Sequence, residues 1–119
     1  PGWGSLLGGR WVWGTSWHPQ PEAVTVVPDK DNALADLPPF EVHDELYTDL
    51  LLEPNAQVLA HGHSAAMPSS QPIVWSHTVG AGRVIYDALG HDSQSISHPA
   101  HAELIRATVK WALNEASPQ

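Results

Sequence analysis

The sequence lacks cysteine altogether, and its 119 residues include only five lysines and arginines against thirteen aspartates and glutamates. Without cysteine there is neither a disulfide framework nor a thiolate to act as nucleophile or metal ligand, so cysteine-dependent catalysis is excluded. The formal net charge of −8 argues against nucleic acid and anionic membranes as partners, because both bind clustered cations. We expect a small neutral or cationic ligand instead.

Long apolar runs are also missing. No stretch of the sequence could span a bilayer, and its beginning does not have the architecture of a signal peptide. We therefore expect a soluble protein and favour the cytoplasm over secretion. The length suits one small domain over residues 1–119.

Short β-strands dominate the pattern of the chain. Residues 72–77 and 83–88 are rich in β-branched and aromatic side chains, and the glycines between them suit a tight turn, which predicts a hairpin. Gly90 then allows a sharp turn that leaves His91 and Asp92 at a strand end. Further strands are predicted at residues 10–13, 22–27, 40–47 and 57–61, with a loop at residues 63–71.

Two helices are predicted near the ends of the sequence. Residues 6–9, Leu-Leu-Gly-Gly, are typical of a helix end with glycine in the left-handed cap position. Pro99 suits the first position of the second helix, with His98 just before it. A stripe at helical spacing should pack on the sheet; it comprises Leu104, Ile105, Thr108, Trp111 and Ala112.

A period of two in residues 40–47 separates two kinds of side chain. Glu41, His43 and Glu45 share one side of the strand, and Val42, Asp44 and Leu46 share the other. Because neighbours face opposite ways, Asp44 and Glu45 cannot both point into one site. We select Glu45, since Tyr47 lies on its side and could bound a sugar-sized pocket.

Several of these segments, in this order, resemble the ThuA-like (trehalose utilisation) family. The landmarks are residues 6–10 (LLGGR), 18–19 (HP), 37–40 (LPPF), 44–47 (DELY), 72–92 and the closing tryptophan helix. The resemblance implies a fold of the α/β class: a flavodoxin-like, class I glutamine amidotransferase-like, mixed and mostly parallel sheet with flanking helices. It also implies that this chain is the carboxyl-terminal part of the domain, without the amino-terminal part. We therefore expect an incomplete active site and, because a covering half would be missing, self-association into homo-oligomers.

The sequence has eight histidines, and two of them, His18 and His91, stand at family landmarks together with Glu45. Two imidazoles and a carboxylate could hold a divalent metal, zinc above all, or could act as a catalytic acid and base. Their separation in sequence matches no compact metal motif, so hydrogen-bonded structural histidines are the alternative. We interpret His61 and His63 as a surface pair, and His77, His98 and His101 as turn, cap or surface residues.

The substrate-binding candidates lie beside this set. Trp17 precedes His18 in a loop, Tyr47 follows Glu45, and Asp92 could orient the ring of His91 or cap the turn that follows it. Of the other tryptophans, Trp11 and Trp13 are expected to share one strand face, either as core residues or as contacts for the missing half of the domain. Trp75 and Trp111 are expected to be structural.

Two functions remain open from the sequence. The first is an enzyme of carbohydrate metabolism that acts on trehalose, a related sugar or an oxidised sugar, with Glu45 moving a proton next to a carbonyl. The second is a non-catalytic binding or interaction module of a larger protein. The positions of three side chains distinguish the two functions, because an enzyme needs His18, Glu45 and His91 close to a common point, whereas a binding module does not.

Overall fold

The computed structural model describes residues 2–30 and 32–113. Its elements are α1 (Trp3–Leu7), β1 (Gly9–Arg10), β2 (Glu22–Pro28), β3 (Phe40–Asp44), β4 (Leu51–Leu52), β5 (Gln57–Ser64), β6 (Gln71–Val79), β7 (Gly82–Asp87), α2 (Ser93–Ile96) and α3 (Pro99–Ala112). Five strands form one sheet in the order β3-β2-β5-β6-β7, and β1 pairs with β4 in a second, two-stranded sheet. None of the described helices has the length and apolar character needed to cross a membrane.

The predicted mostly parallel sheet of the flavodoxin-like, amidotransferase-like type is wrong. Every strand pair in the described residues is antiparallel. Parallel neighbours require a crossover of a dozen or more residues, usually through a helix. β6 and β7 are joined by Gly80 and Ala81 alone, and the described residues between β2 and β7 contain no helix. The antiparallel order follows from these connections.

The predictions of local structure agree with the observed fold better than the predicted sheet type does. The hairpin is confirmed, with Val79 paired to Gly82 across a turn in which Gly80 has φ +58°. α3 begins at Pro99, and the His98 side chain accepts a hydrogen bond from the Ala100 amide, as its cap position predicts. Several boundaries are wrong: β1 stops at Arg10, before the tryptophans, β3 stops at Asp44 instead of Tyr47, and β5 continues through His63 and Ser64 into the predicted loop.

Apolar side chains of the central strands form one core. The alternation predicted for residues 40–47 is confirmed, since Val42, Asp44 and Leu46 are buried whereas Glu41 and His43 are exposed. α3 contributes Leu104 to the core cluster; its other fully or nearly buried members are Val24, Val26, Leu34, Val42, Leu46, Leu59, Ala60, Ile73, Val74 and Leu89. This packing fixes the strand ends that carry the polar residues.

α1 lies on the sheet through two hydrogen bonds from β6. Trp75 Nε1 donates to the Leu7 carbonyl at 2.9 Å, and His77 Nε2 lies 2.9 Å from the Ser5 carbonyl. Trp75 is fully buried, as expected of a structural residue, but the surface assignment of His77 is wrong, because it is 6% exposed. The carbonyls of α1 give this buried ring its partner.

Candidate functional site

Asp44 and Glu45 point to opposite sides of the chain at the end of β3. Asp44 is 1% exposed and belongs to the buried side of the strand. The side chain of Glu45 is 14% exposed and lies at the surface between two imidazoles. One carboxylate therefore supports the structure from within while its neighbour faces a prospective ligand.

The buried carboxylate of Asp44 holds the turn that carries His91. Its Oδ2 accepts from the Gly90 amide at 2.8 Å, and its Oδ1 accepts from the His91 amide at 3.1 Å and the Glu45 amide at 2.7 Å. The Ser95 hydroxyl donates to Oδ2 as well. Hydrogen bonds to a charged acceptor are the stronger kind, so a single side chain sets the backbone of both Glu45 and His91.

A two-residue clamp brings His18 to the same place. The Thr48 amide donates to the Trp17 carbonyl at 2.8 Å, the Thr48 hydroxyl donates to the same oxygen at 2.9 Å, and the Trp17 amide donates back to the Thr48 carbonyl at 3.3 Å. Ser16 adds a hydrogen bond to the Asp49 carbonyl. The loop that carries His18 is thereby fixed to the segment that follows Glu45.

The structure brings His18, Glu45 and His91 together. His91 Nδ1 lies 3.1 Å from Glu45 Oε1, and His18 Nδ1 lies 3.6 Å from Glu45 Oε2. The two rings are 41% and 36% exposed. These residues, far apart in sequence, lie close to a common point in the structure, and their chemical role stays a prediction.

The contacts of the two rings favour one tautomer. His18 Nδ1 is 2.8 Å from the Pro19 carbonyl, which can only accept, so Nδ1 carries the proton. His91 Nδ1 faces a carboxylate, which favours a proton there too. In the neutral form of each ring Nε2 then holds the free lone pair, while Glu45 is occupied with orienting the rings.

The same contacts bear on the predicted metal. In residues 2–30 and 32–113, no group of three or more histidines, aspartates and glutamates is arranged so that it could hold a metal ion. The reason is geometric: a ligand atom must lie about 2.0–2.2 Å from zinc, whereas the Glu45 carboxylate lies against the Nδ1 atoms of both rings. Two Nε2 atoms remain as donors, so these residues do not make a three-ligand site, and zinc stays a prediction.

Two cavities flank the cluster. One of about 160 Å³ lies behind His91; it is lined by Asp44, Tyr47, Tyr86, Asp87, Ala88, Leu89, Gly90 and His91. The other, more open and about 390 Å³, is lined by Trp11, Trp13, His18 and Tyr47. Tyr47 lines both cavities, so the cluster stands between them.

The three substrate-binding candidates lie in different settings. Tyr47 stacks on His18, with ring centroids 5.7 Å apart. Burial, followed by the charge of Glu45, raises the pKa of Tyr47 above its ordinary 10.0, so its hydroxyl stays a donor. The Trp17 side chain is not part of either cavity lining, and its backbone forms the clamp. Asp92 accepts from the Ser95 amide at 3.1 Å as the N-cap of α2, which is the capping alternative weighed above.

Behind the turn, a buried histidine links the Asp87 carboxylate to the backbone of Ser95. His101 is fully buried, so its assignment as a surface or cap residue is wrong. Its Nε2 lies 2.6 Å from Asp87 Oδ2 and its Nδ1 lies 2.9 Å from the Ser95 carbonyl. Burial lowers the pKa of His101, but the hydrogen bond and charge of Asp87 outweigh it, and the pKa is raised above 6.5. With an acceptor at each nitrogen, the protonated ring is satisfied.

Sequence reasoning missed Asp44, Trp11 and Trp13 as parts of this region. The signal for Asp44 was present, because the alternation put a carboxylate on the buried side of β3, where it needs several donors. The tryptophans carried an ambiguous signal, because clustered indoles suit a sugar platform as well as a core. Their role depends on β1 ending at Arg10, which a pattern of aromatic residues does not reveal.

Comparison with known proteins identifies the family of the chain. The sequence matches the model of the family described as trehalose utilisation, ThuA, over residues 1–112. The structure is similar to the crystal structure of a protein described as ThuA-like from Parabacteroides merdae, with a TM-score of 0.74 and 19% sequence identity. That match covers 97% of this chain and 51% of the other, so the chain spans about half the length of its structural relative. No curated protein matches the chain.

The family match extends from the helix before the small sheet to the end of α3, and it includes His18, Glu45 and His91. At 19% identity the structural likeness concerns the fold. A family match over residues 1–112 covers far more than half of the 119 residues. The chain belongs to the trehalose utilisation (ThuA) family.

Proposed function

We propose that this protein acts in carbohydrate metabolism, on trehalose or a related sugar, and that His18, Glu45 and His91 form an acid–base site for an oxidised, carbonyl-bearing sugar. The observation that carries the proposal is the position of the Glu45 carboxylate between the Nδ1 atoms of both rings, at 3.6 and 3.1 Å. A carboxylate behind an imidazole orients the ring and stabilises the cation formed when Nε2 takes a proton.

The charge of the cluster suits a protonated imidazole on one ring and a neutral imidazole on the other. One carboxylate balances one imidazolium, so the cluster is neutral overall when one ring is protonated and the other is not. The neutral ring can remove a proton at Nε2 from the carbon next to the carbonyl. The electron pair of that C–H bond forms a C=C bond, and the imidazolium donates its Nε2 proton to the carbonyl oxygen, which gives an enediol. An isomerisation is completed when the other enediol hydroxyl gives up its proton to the neutral ring, its O–H electron pair forms the new C=O bond, and the imidazolium protonates the carbon that was the carbonyl carbon.

Deuterium exchange tests this proposal. The purified protein is incubated in D₂O with a panel of ketohexoses and keto derivatives of trehalose, and loss of the C–H signal next to the carbonyl is followed by NMR. Glu45→Gln keeps the shape but removes the charge, so exchange should fall by about 100-fold, the lower end of general acid–base contributions. Glu41→Gln is the matched control, because Glu41 lies on β3 just before Glu45 and on the same side of the chain, but is exposed.

The outcomes separate the two functions that the sequence left open. Exchange by the wild type that Glu45→Gln abolishes supports the enzyme. Exchange that survives in Glu45→Gln removes Glu45 from the mechanism. Sugar binding without exchange by the wild type favours the non-catalytic binding module.

A metal ion at the two free Nε2 atoms has its own measurement. The metal content of the purified protein is determined by elemental mass spectrometry after stripping and reloading with zinc. Stoichiometric zinc that is lost in His91→Ala would assign the ring to a metal. The expected result from the arrangement of donors is no stoichiometric uptake by the described cluster.

A further inference from the structure

We propose that Trp11, Trp13 and Tyr47 form an aromatic shelf that binds the ring of an uncharged pyranoside and rejects phosphorylated sugars. The inference rests on the proposed function, because the shelf adjoins His18 of the acid–base site. The inference adds an aromatic binding subsite to the proposed function and specifies that the sugar is uncharged.

The shelf is a continuous set of aromatic rings. Trp11 meets Tyr47 edge to face with centroids 5.1 Å apart, and Trp13 meets Trp11 edge to face at 6.0 Å. His18 stacks on Tyr47 at the other end. Together these four rings line the open cavity of about 390 Å³, which falls within the usual range of small-molecule sites.

The exposure of the shelf indicates a ligand-facing role. Trp13 is 88% exposed, so this large side chain contributes little apolar burial to the fold. A pyranose ring carries C–H groups on its faces and hydroxyls around its edge. Its face can cover an indole while the hydroxyls reach polar atoms, and here His18 and Tyr47, which carry polar groups, line the same cavity as the indoles. A ring bound there places the rest of the sugar toward Glu45.

Charge decides which sugars fit. No lysine or arginine is among the residues that line either cavity. Asp44 and Asp87 line the smaller one, and Glu45 faces the rings of His18 and His91. A phosphate group binds most strongly through arginine, lysine or clustered N–H donors; here the cluster offers a single imidazolium whose charge Glu45 already balances, and the adjoining cavity is lined by the carboxylates of Asp44 and Asp87. The site therefore selects neutral sugars over their phosphates.

Binding measurements test the shelf separately from the chemistry. The affinity of the purified protein for trehalose and for trehalose 6-phosphate is measured by NMR titration. Trp13→Ala should raise the Kd for trehalose about tenfold, which corresponds to about 1.4 kcal/mol. Trp3→Ala is the matched control, because Trp3 is also highly exposed, at 73%, but does not line the cavity. It should leave the Kd unchanged.

Each outcome decides the proposal. Weaker trehalose binding in Trp13→Ala with unchanged binding in Trp3→Ala, together with weaker binding of the phosphate by the wild type, supports the shelf. Equal Kd values for Trp13→Ala and the wild type, no trehalose binding, or tighter binding of the phosphate overturn it. The two proposals can also fail separately. If Glu45→Gln abolishes deuterium exchange but Trp13→Ala leaves the Kd for trehalose unchanged, the shelf proposal is wrong and the acid–base proposal is retained.

Discussion

At the scale of single residues, the Asp44 carboxylate is the side chain on which the site most depends. It accepts hydrogen bonds from the amides of Glu45, Gly90 and His91 and from the hydroxyl of Ser95. Asn at this position keeps one carbonyl oxygen but turns an NH₂ group toward donors. We expect Asp44→Asn to lower the free energy of unfolding by about 3 kcal/mol, because buried donors lose a charged acceptor.

Urea denaturation measures the effect of Asp44→Asn. Asp36→Asn is the control for removing one negative charge, since Asp36 is exposed, and it should change the stability by less than about 0.5 kcal/mol. Amide hydrogen exchange at Gly90 and His91 should also accelerate in Asp44→Asn and stay unchanged in the control. Equal stability of the two variants would show that the buried carboxylate does not hold the turn.

His101 gives the protein a predictable response to pH. Its pKa in the folded protein is raised above 6.5. Its contribution to stability is therefore fully present below about pH 6.5 and is lost as pH rises through the folded pKa, because the folded state then binds more protons than the unfolded state. The free energy of unfolding should fall between pH 6.5 and higher pH, and this fall should be reduced in His101→Gln.

The difference between two pH profiles isolates this group. Chemical denaturation of the wild type, His101→Gln and His43→Gln is compared from about pH 6 to about pH 9. His43 is exposed on β3, so its variant should follow the wild type. At the acid end His101→Gln should be less stable by about 3 kcal/mol, as for a broken buried ion pair, with the gap closing as pH rises. A constant gap would mean that the pKa of His101 is not raised in the folded protein.

The sequence revealed the exposed side of the site better than its buried support. His18, Glu45 and His91 were selected by residue type and family landmarks, and the structure brings them together. His101 was misassigned because a buried imidazole is recognisable only from its partners, here Asp87 and Ser95. Those partners come together through the path of the chain from β7 to α3, which no local pattern encodes.

At the scale of the elements, the seating of α1 on the sheet depends on one glycine. Gly8 ends the helix with φ +83°, and a Cβ there would lie 2.7 Å from the Cβ of His77. Gly14 has nearly the same backbone, φ +85°, but a Cβ there would meet nothing within 4 Å. Alanine at Gly14 measures the backbone strain alone, and alanine at Gly8 measures strain plus the clash.

Thermal denaturation of the two glycine variants separates these contributions. We expect Gly14→Ala to cost about 1 kcal/mol, the penalty of a left-handed conformation for a residue with a Cβ. Gly8→Ala should cost about 3 kcal/mol, because His77 and the helix must also move apart. Fluorescence of Trp75, which donates to Leu7 in α1, should change in Gly8→Ala only. Equal costs would mean that α1 can shift freely on the sheet.

Elements that are specified by neighbouring residues in the sequence were predictable, whereas the relative direction of the strands was not predicted correctly. Glycines at the turn specified the β6–β7 hairpin, and Pro99 with its helical stripe specified α3. The parallel sheet was inferred from family resemblance rather than from connections. The two-residue link between β6 and β7 already required an antiparallel pair, and the same reasoning applied to the other short connections would have corrected the fold class.

At the scale of the whole molecule, the excess of negative charge should weaken the folded state. The net charge is −8 on a body with extents of 38 × 34 × 25 Å. At about 0.01 M salt the Debye length is about 30 Å, so charges repel across much of the molecule, whereas at about 0.3 M only near neighbours interact. Adding sodium chloride over this range should stabilise the protein by about 1 kcal/mol and raise Tm by about 4 °C.

Charge reversal at exposed positions provides the control for the salt response. Asp36→Lys and Glu41→Lys replace exposed carboxylates and each raise the net charge by two. If self-repulsion is the cause, the double variant should have a higher Tm than the wild type at low salt and a smaller rise on adding salt, because less repulsion is left to screen. Sodium chloride also strengthens apolar burial at high concentration, but that effect is independent of net charge. An equal rise in both proteins would therefore assign the salt response to the solvent rather than to the acidic surface.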